Sequence, residues 1–114
     1  MSSSLEALIE AVFAPKAFSR DTLTAWLTLW GQIAVTPALL AEHQRQYRVY
    51  LSNVSDAIAA LATARGRNVD ARALAVPLIC LIDGICVQQC MDPDLIGPEA
   101  AKQVCRAFLA PHLG

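Results

Sequence analysis

The chain has 114 residues, 55% of them hydrophobic and 17% charged, with a formal net charge of −1. That length bounds one domain with a single core rather than a core plus a separate module. Disorder is excluded by the apolar balance, and the near-zero charge gives no pull toward nucleic acid or an anionic membrane. An apolar excess of this size also predicts that part of the surface is covered by another chain or segment.

Helix signals then follow in chain order. Ser3-x-x-Glu6 reads as a capping box, with the hydroxyl accepting from the Glu6 amide and the carboxylate reaching back to the Ser3 amide. Leu5, Leu8, Ile9, Val12 and Phe13 continue it at the spacing of one buried helix face, and Ala14-Pro15-Lys16 ends it. Ser19 is placed as the next cap, with Phe18 and Leu23 as a hydrophobic staple around it. Leu23, Trp26, Leu27, Trp30 and Ala34 share one face of this second helix.

Thr36-Pro37 closes the second helix and opens a third, with Thr36 as its expected cap. No breaker follows until Gly66, so this helix is expected from about Pro37 to Ala64. His43, Tyr47, Tyr50, Val54, Ile58 and Leu61 recur on it at steps of three and four. Asp70 caps a fourth helix, Ala71 to Met91, in which Asp83 is the single charge between Ala73 and Val87. Apolar residues fall on every side of it, the pattern of a helix buried all round. It is long enough to span a bilayer, but Arg72, Pro77, Asp83 and two Gln residues favour a soluble core helix. Gly97-Pro98-Glu99 starts the last helix, Pro98 to Ala110, with a stripe of Ala101, Val104, Cys105, Phe108 and Leu109. The expected class is all-α, a five-helix bundle.

Residues 1 to 13 lack a basic start and apolar centre, which makes the cytoplasm the default compartment and the four cysteines reduced thiols. Cys86 and Cys90 stand one turn apart but Cys80 faces elsewhere, so no zinc-binding set forms and buried thiols account for them. No nucleophile elbow, phosphate loop or evident acid pair is present, and neither catalysis nor a cofactor is expected. The basic turn residues Arg65, Arg67 and Arg72 are read as solvated charges.

Three constellations carry a functional question. Trp26, Trp30, Tyr47 and Tyr50 sit on adjacent helices and are either core aromatics or a box for a cation. His43, one turn before Tyr47, is a core histidine or a pocket donor. Asp83 must be paired or hydrogen-bonded, whether in packing, in a pocket or across a dimer axis, and Gly84 beside it points to close helix approach.

The order Thr24-Ala25-Trp26-Leu27-x-Leu29-Trp30, Tyr47-x-x-Tyr50-Leu51-x-Asn53, Leu81-Ile82-Asp83-Gly84 and Pro98-Glu99-Ala100-Ala101 resembles the C-terminal domain of TetR-family transcriptional repressors. The nearest branch is the BetI type, whose named members respond to choline. The resemblance implies an effector-binding and dimerising domain, with the last two helices of each subunit forming a four-helix bundle. Carried onto this chain, it implies a dimer face of Leu81, Gly84, Ile85, Val104, Cys105 and Phe108. It implies a small-molecule site, for choline or another quaternary ammonium compound, at Trp26, Trp30, His43, Tyr47, Tyr50 and Asp83. A DNA-reading domain needs roughly 50 further residues, so this stretch by itself is not expected to bind an operator. The other reading is an interaction module that pairs with itself or with a full-length repressor and holds no ligand.

Overall fold

The structure, a computed structural model, describes residues 3–114. Its elements are α1 (Ser4–Val12), α2 (Arg20–Val35), α3 (Pro37–Ala64), α4 (Ala71–Met91) and α5 (Pro98–Leu113), with no strand among the described residues. The helix starts follow local chemistry. Ser19 Oγ accepts from the Thr22 amide at 3.3 Å and Asp70 Oδ1 from the Ala73 amide at 3.2 Å. Phe18 and Leu23 are both buried, as a staple requires, and the Phe18 ring meets Phe13 edge to face at 5.2 Å. Gly66, with φ of 66°, turns the chain between α3 and α4 in a conformation that other residues rarely adopt.

Three local expectations are corrected. Ser3 Oγ accepts from the Glu6 amide at 3.1 Å, but the Glu6 carboxylate turns to Arg106 on α5 instead of back to Ser3. A charged partner outcompetes a neutral amide for a carboxylate. Thr36 makes no side-chain cap to α3; its hydroxyl donates to the Gln32 carbonyl at 2.8 Å and so closes α2. Helix α5 runs past Ala110 to Leu113, because Leu109 and Leu113, one turn apart, are both buried in the core.

Helix α4 packs against α2, α3 and α5, most extensively against α3. Leu74, Ala75, Leu78, Ile79, Ile82 and Ile85 face this core. The helix is not buried all round within the chain: Val76 is 45% exposed and Cys80 is exposed too. Its length and hydropathy are those of a candidate membrane span, yet it packs here as the central helix of a bundle. The molecule measures 43 × 34 × 20 Å, a plate about two helices thick. Its radius of gyration of 14.9 Å exceeds the roughly 13 Å of a globule this long, and large apolar residues such as Leu29, Val76, Leu95 and Val104 are left exposed.

A charged seam joins the chain's two ends. Arg106 of α5 holds Glu6 and Glu10 of α1, while Lys102 Nζ lies 2.9 Å from both Glu10 and Glu99. This seam ties α1 to α5, α1 also packs against α3, and Val12 at the end of α1 helps line the site.

Candidate functional site

Residues at steps of three and four on α3 share a face, and on this helix that face carries His43, Tyr47 and Tyr50 toward α4 and α2. Trp26 and Trp30 do the same on α2. The five rings form one continuous cluster: Trp26 to Trp30 at 4.3 Å, Trp30 edge-on to His43 at 5.4 Å, His43 to Tyr47 at 4.6 Å and Tyr47 edge-on to Tyr50 at 5.6 Å. Trp30 also meets Tyr47 edge-on at 5.9 Å. From α4, Asp83 completes the set, accepting a hydrogen bond from the Tyr47 hydroxyl at 2.9 Å.

All six residues expected at a ligand site therefore converge, but in two layers. Trp26, Tyr47, Tyr50 and Asp83 line an open hollow of about 420 Å³, floored by Leu23 and Ile82. Trp30 does not line it; its ring fills the space between Trp26, His43 and Tyr47. His43 faces a second hollow of about 330 Å³, together with Gln44, Arg48, Val76 and Ile79. Tyr47 and Asp83 line both hollows and form the wall between them. Each volume lies in the range of small-ligand sites, roughly 300–1,000 Å³.

The electrostatics of this wall are one-sided. No ion pair involves Asp83 among the described residues; its hydrogen-bond partner is a neutral phenol. Burial pushes its carboxyl above the usual carboxylate range, against the opposing pull of the Tyr47 bond and the nearby His43. Burial and the Asp83 charge likewise push the Tyr47 and Tyr50 phenols up, so both remain neutral donors. Cys86, one turn beyond Asp83 and also lining the first hollow, is pushed up to about 11 by burial, then by Asp83 and Cys105. It is an inert thiol rather than a nucleophile. The site can hold an apolar body against aromatic faces and oppose one positive charge.

Sequence reasoning missed Arg48 and Cys86 as lining residues. Cys86 stands at i+3 from Asp83 and Arg48 follows Tyr47 directly, but such neighbours are sorted to one hollow or another only by how α3 crosses α4.

The residues expected on a dimer face divide differently. Leu81 and Gly84 border an outward groove of about 460 Å³ with Leu95 and Ile96, whereas Ile85, expected on the same face, is buried in the core of its own chain and only edges the groove. A Cβ added at Gly84 would meet nothing within 4 Å, so within the chain no helix approaches it closely. Val104 is 39% exposed and Phe108 is half-buried. Cys105 is fully buried in the core of its own chain, because α5 turns the other side of its stripe inward, and so it cannot contact a partner. Of the cysteines expected to be buried, Cys80 is exposed.

Comparison with known proteins agrees with this architecture. A family model described as "BetI-type transcriptional repressor, C-terminal" matches residues 2–114. The fold is similar to a crystal structure of a candidate transcriptional regulator from Pseudomonas aeruginosa PAO1, with a TM-score of 0.82 and 28% sequence identity. The similarity covers 94% of this chain and 52% of that one, so this chain spans about half the length of the regulator it matches. No curated protein matches the sequence.

Proposed function

The chain belongs to the BetI-type transcriptional repressor C-terminal family, and from that premise we propose that it is an effector-sensing domain whose ligand is a small cation such as choline. The observation that carries this reading is Asp83: a half-buried carboxylate, in no ion pair among the described residues, at the wall of a hollow lined by Trp26, Tyr47 and Tyr50. An isolated charge in such a place is costly, and a ligand cation offsets it while the ring faces contribute roughly 0.5–2 kcal/mol each. In a complete repressor the effector acts by population shift, favouring one arrangement of the DNA-reading domains over another. Such a protein works in the cytoplasm.

Titration with choline and with tetramethylammonium, followed by tryptophan fluorescence, tests the site. Trp26 borders the hollow and stacks on Trp30, so a saturable change is expected; its absence with both compounds overturns the cation reading.

A second reading, dimerisation, rests on a separate observation: the open groove at Leu81, Gly84 and Ile85, beside the exposed Val104 and Leu95 on a plate 20 Å thick. Two such faces joined give a four-helix bundle of α4 and α5 from each subunit, and the open face of Gly84 then allows close approach between subunits. The same face serves the interaction-module alternative, in which the partner is a full-length repressor. Sedimentation at micromolar concentration is expected to show a dimer. A monomer throughout removes this reading and leaves the effector site untouched.

A further inference from the structure

The second hollow has a chemistry of its own. Asp83 and the exposed Arg48 both line it, with His43 and Gln44, and Leu51, Val76 and Ile79 give it an apolar side. Arg48 is exposed and makes no ion pair or side-chain hydrogen bond among the described residues. Elsewhere on α3 an arginine within reach of an acid takes it, as Arg45 takes Glu42. Here an acid and a base border one cavity of about 330 Å³ and do not meet.

We infer that the α3–α4 hollow is a second ligand site, for a compact zwitterion whose ammonium faces Asp83 and whose carboxylate faces Arg48. The guanidinium offers a carboxylate two parallel donors. His43 and Gln44 supply further polar contacts, and the methylene chain of the ligand lies on Leu51, Val76 and Ile79. Because Asp83 borders both hollows, one carboxylate serves both sites. A cation in the aromatic hollow neutralises it and weakens the zwitterion's hold, and by reciprocity the zwitterion weakens the cation's. The inference rests on the reading of Asp83 as a cation-binding group, and adds to it a second ligand class and a mutual exclusion.

Calorimetric titration of the whole chain with ω-amino carboxylates of increasing chain length, and separately with tetramethylammonium, tests this. One chain length is expected to bind best. Arg48→Gln, an exposed change, weakens that compound about tenfold or more and leaves tetramethylammonium within twofold. Trp26→Leu does the reverse. Saturating tetramethylammonium raises the apparent Kd of the zwitterion. If Arg48→Gln leaves the zwitterion unchanged while Trp26→Leu weakens it, the compound sits in the aromatic hollow and the inference falls. Binding of tetramethylammonium with no ω-amino carboxylate bound at any length also overturns it, with the cation reading intact. If neither class binds, both fall together.

Discussion

The molecule holds two charged clusters that solve the same problem in opposite ways. At the α1–α5 seam, Glu6, Glu10 and Glu99 are matched by Arg106 and Lys102, so each carboxylate meets a cation. At the α3–α4 wall, Asp83 meets a phenol and two hollows. The seam responds to its pairs in the ordinary sense: hydrogen bonds from Lys102 and then Arg106 hold the Glu10 carboxyl below its usual range. Burial drives Asp83 the other way. Charges matched within the chain hold elements together, whereas under the proposed reading a carboxylate without an ion-pair partner beside a cavity is kept at a cost to stability for a ligand to oppose.

The sharpest way to break this contrast is Asp83→Asn, which keeps an oxygen for the Tyr47 hydroxyl and removes the charge. Tetramethylammonium affinity is expected to fall about thirtyfold or more. The thermal midpoint should stay level or rise by a few degrees, roughly what a fraction of a kcal/mol to 1 kcal/mol moves a domain of this size. Loss of both affinity and stability would make Asp83 a packing residue like those of the seam. Next in size is Trp26→Leu, expected to cost about three- to thirtyfold in affinity for the same cation; no loss would show that the ring faces do not meet the ligand.

The mirror-image change, Arg106→Leu, strands Glu6 and leaves Glu10 with Lys102 alone. A lower melting temperature is expected, with effector affinity within about twofold; an equal loss of binding would mean that the seam also shapes the hollow through α1. The mildest test is acid titration. Glu10, with its carboxyl lowered, contributes stability that is present above its ordinary value of 4.5 and is lost only as pH falls through the lower folded value. Asp83 has the opposite sign: its folded carboxyl is raised, so protonation there favours the folded state, down to the ordinary value of 3.8. Cation affinity is therefore expected to fade on acidification before the fold weakens. Parallel loss of the two, followed by fluorescence and circular dichroism, would contradict the contrast.

Much of the site was legible from spacing. Period and turn chemistry place Tyr47 and Tyr50 on one face of α3, Trp26 and Trp30 on one face of α2, and Asp83 in the apolar run of α4, and the structure gathers all of them. The seam was half legible: Glu6 and Glu10 are one turn apart on α1, Lys102 and Arg106 one turn apart on α5, but nothing in either helix says that they face each other. Cys105 and Cys80 were misplaced for one reason. On α4, apolar on several sides, and on α5, whose one stripe has two edges, nothing local says which side meets the chain's own core, so the rotation of each helix about its axis is set by its neighbours.

What the sequence determined by itself is local: five helices, their caps at Ser19 and Asp70, the turn at Gly66, and the residue types able to hold a cation, because each depends on contacts within four or five positions. Only the tertiary structure decided that Tyr47 and Asp83 would stand as one wall between two hollows, that Trp30 would back the ring cluster rather than line the hollow, and that Gly84 would face outward. These depend on the crossing of α3 over α4 and the seating of α1 against α5, which follow from the summed packing of side chains more than thirty residues apart in the chain.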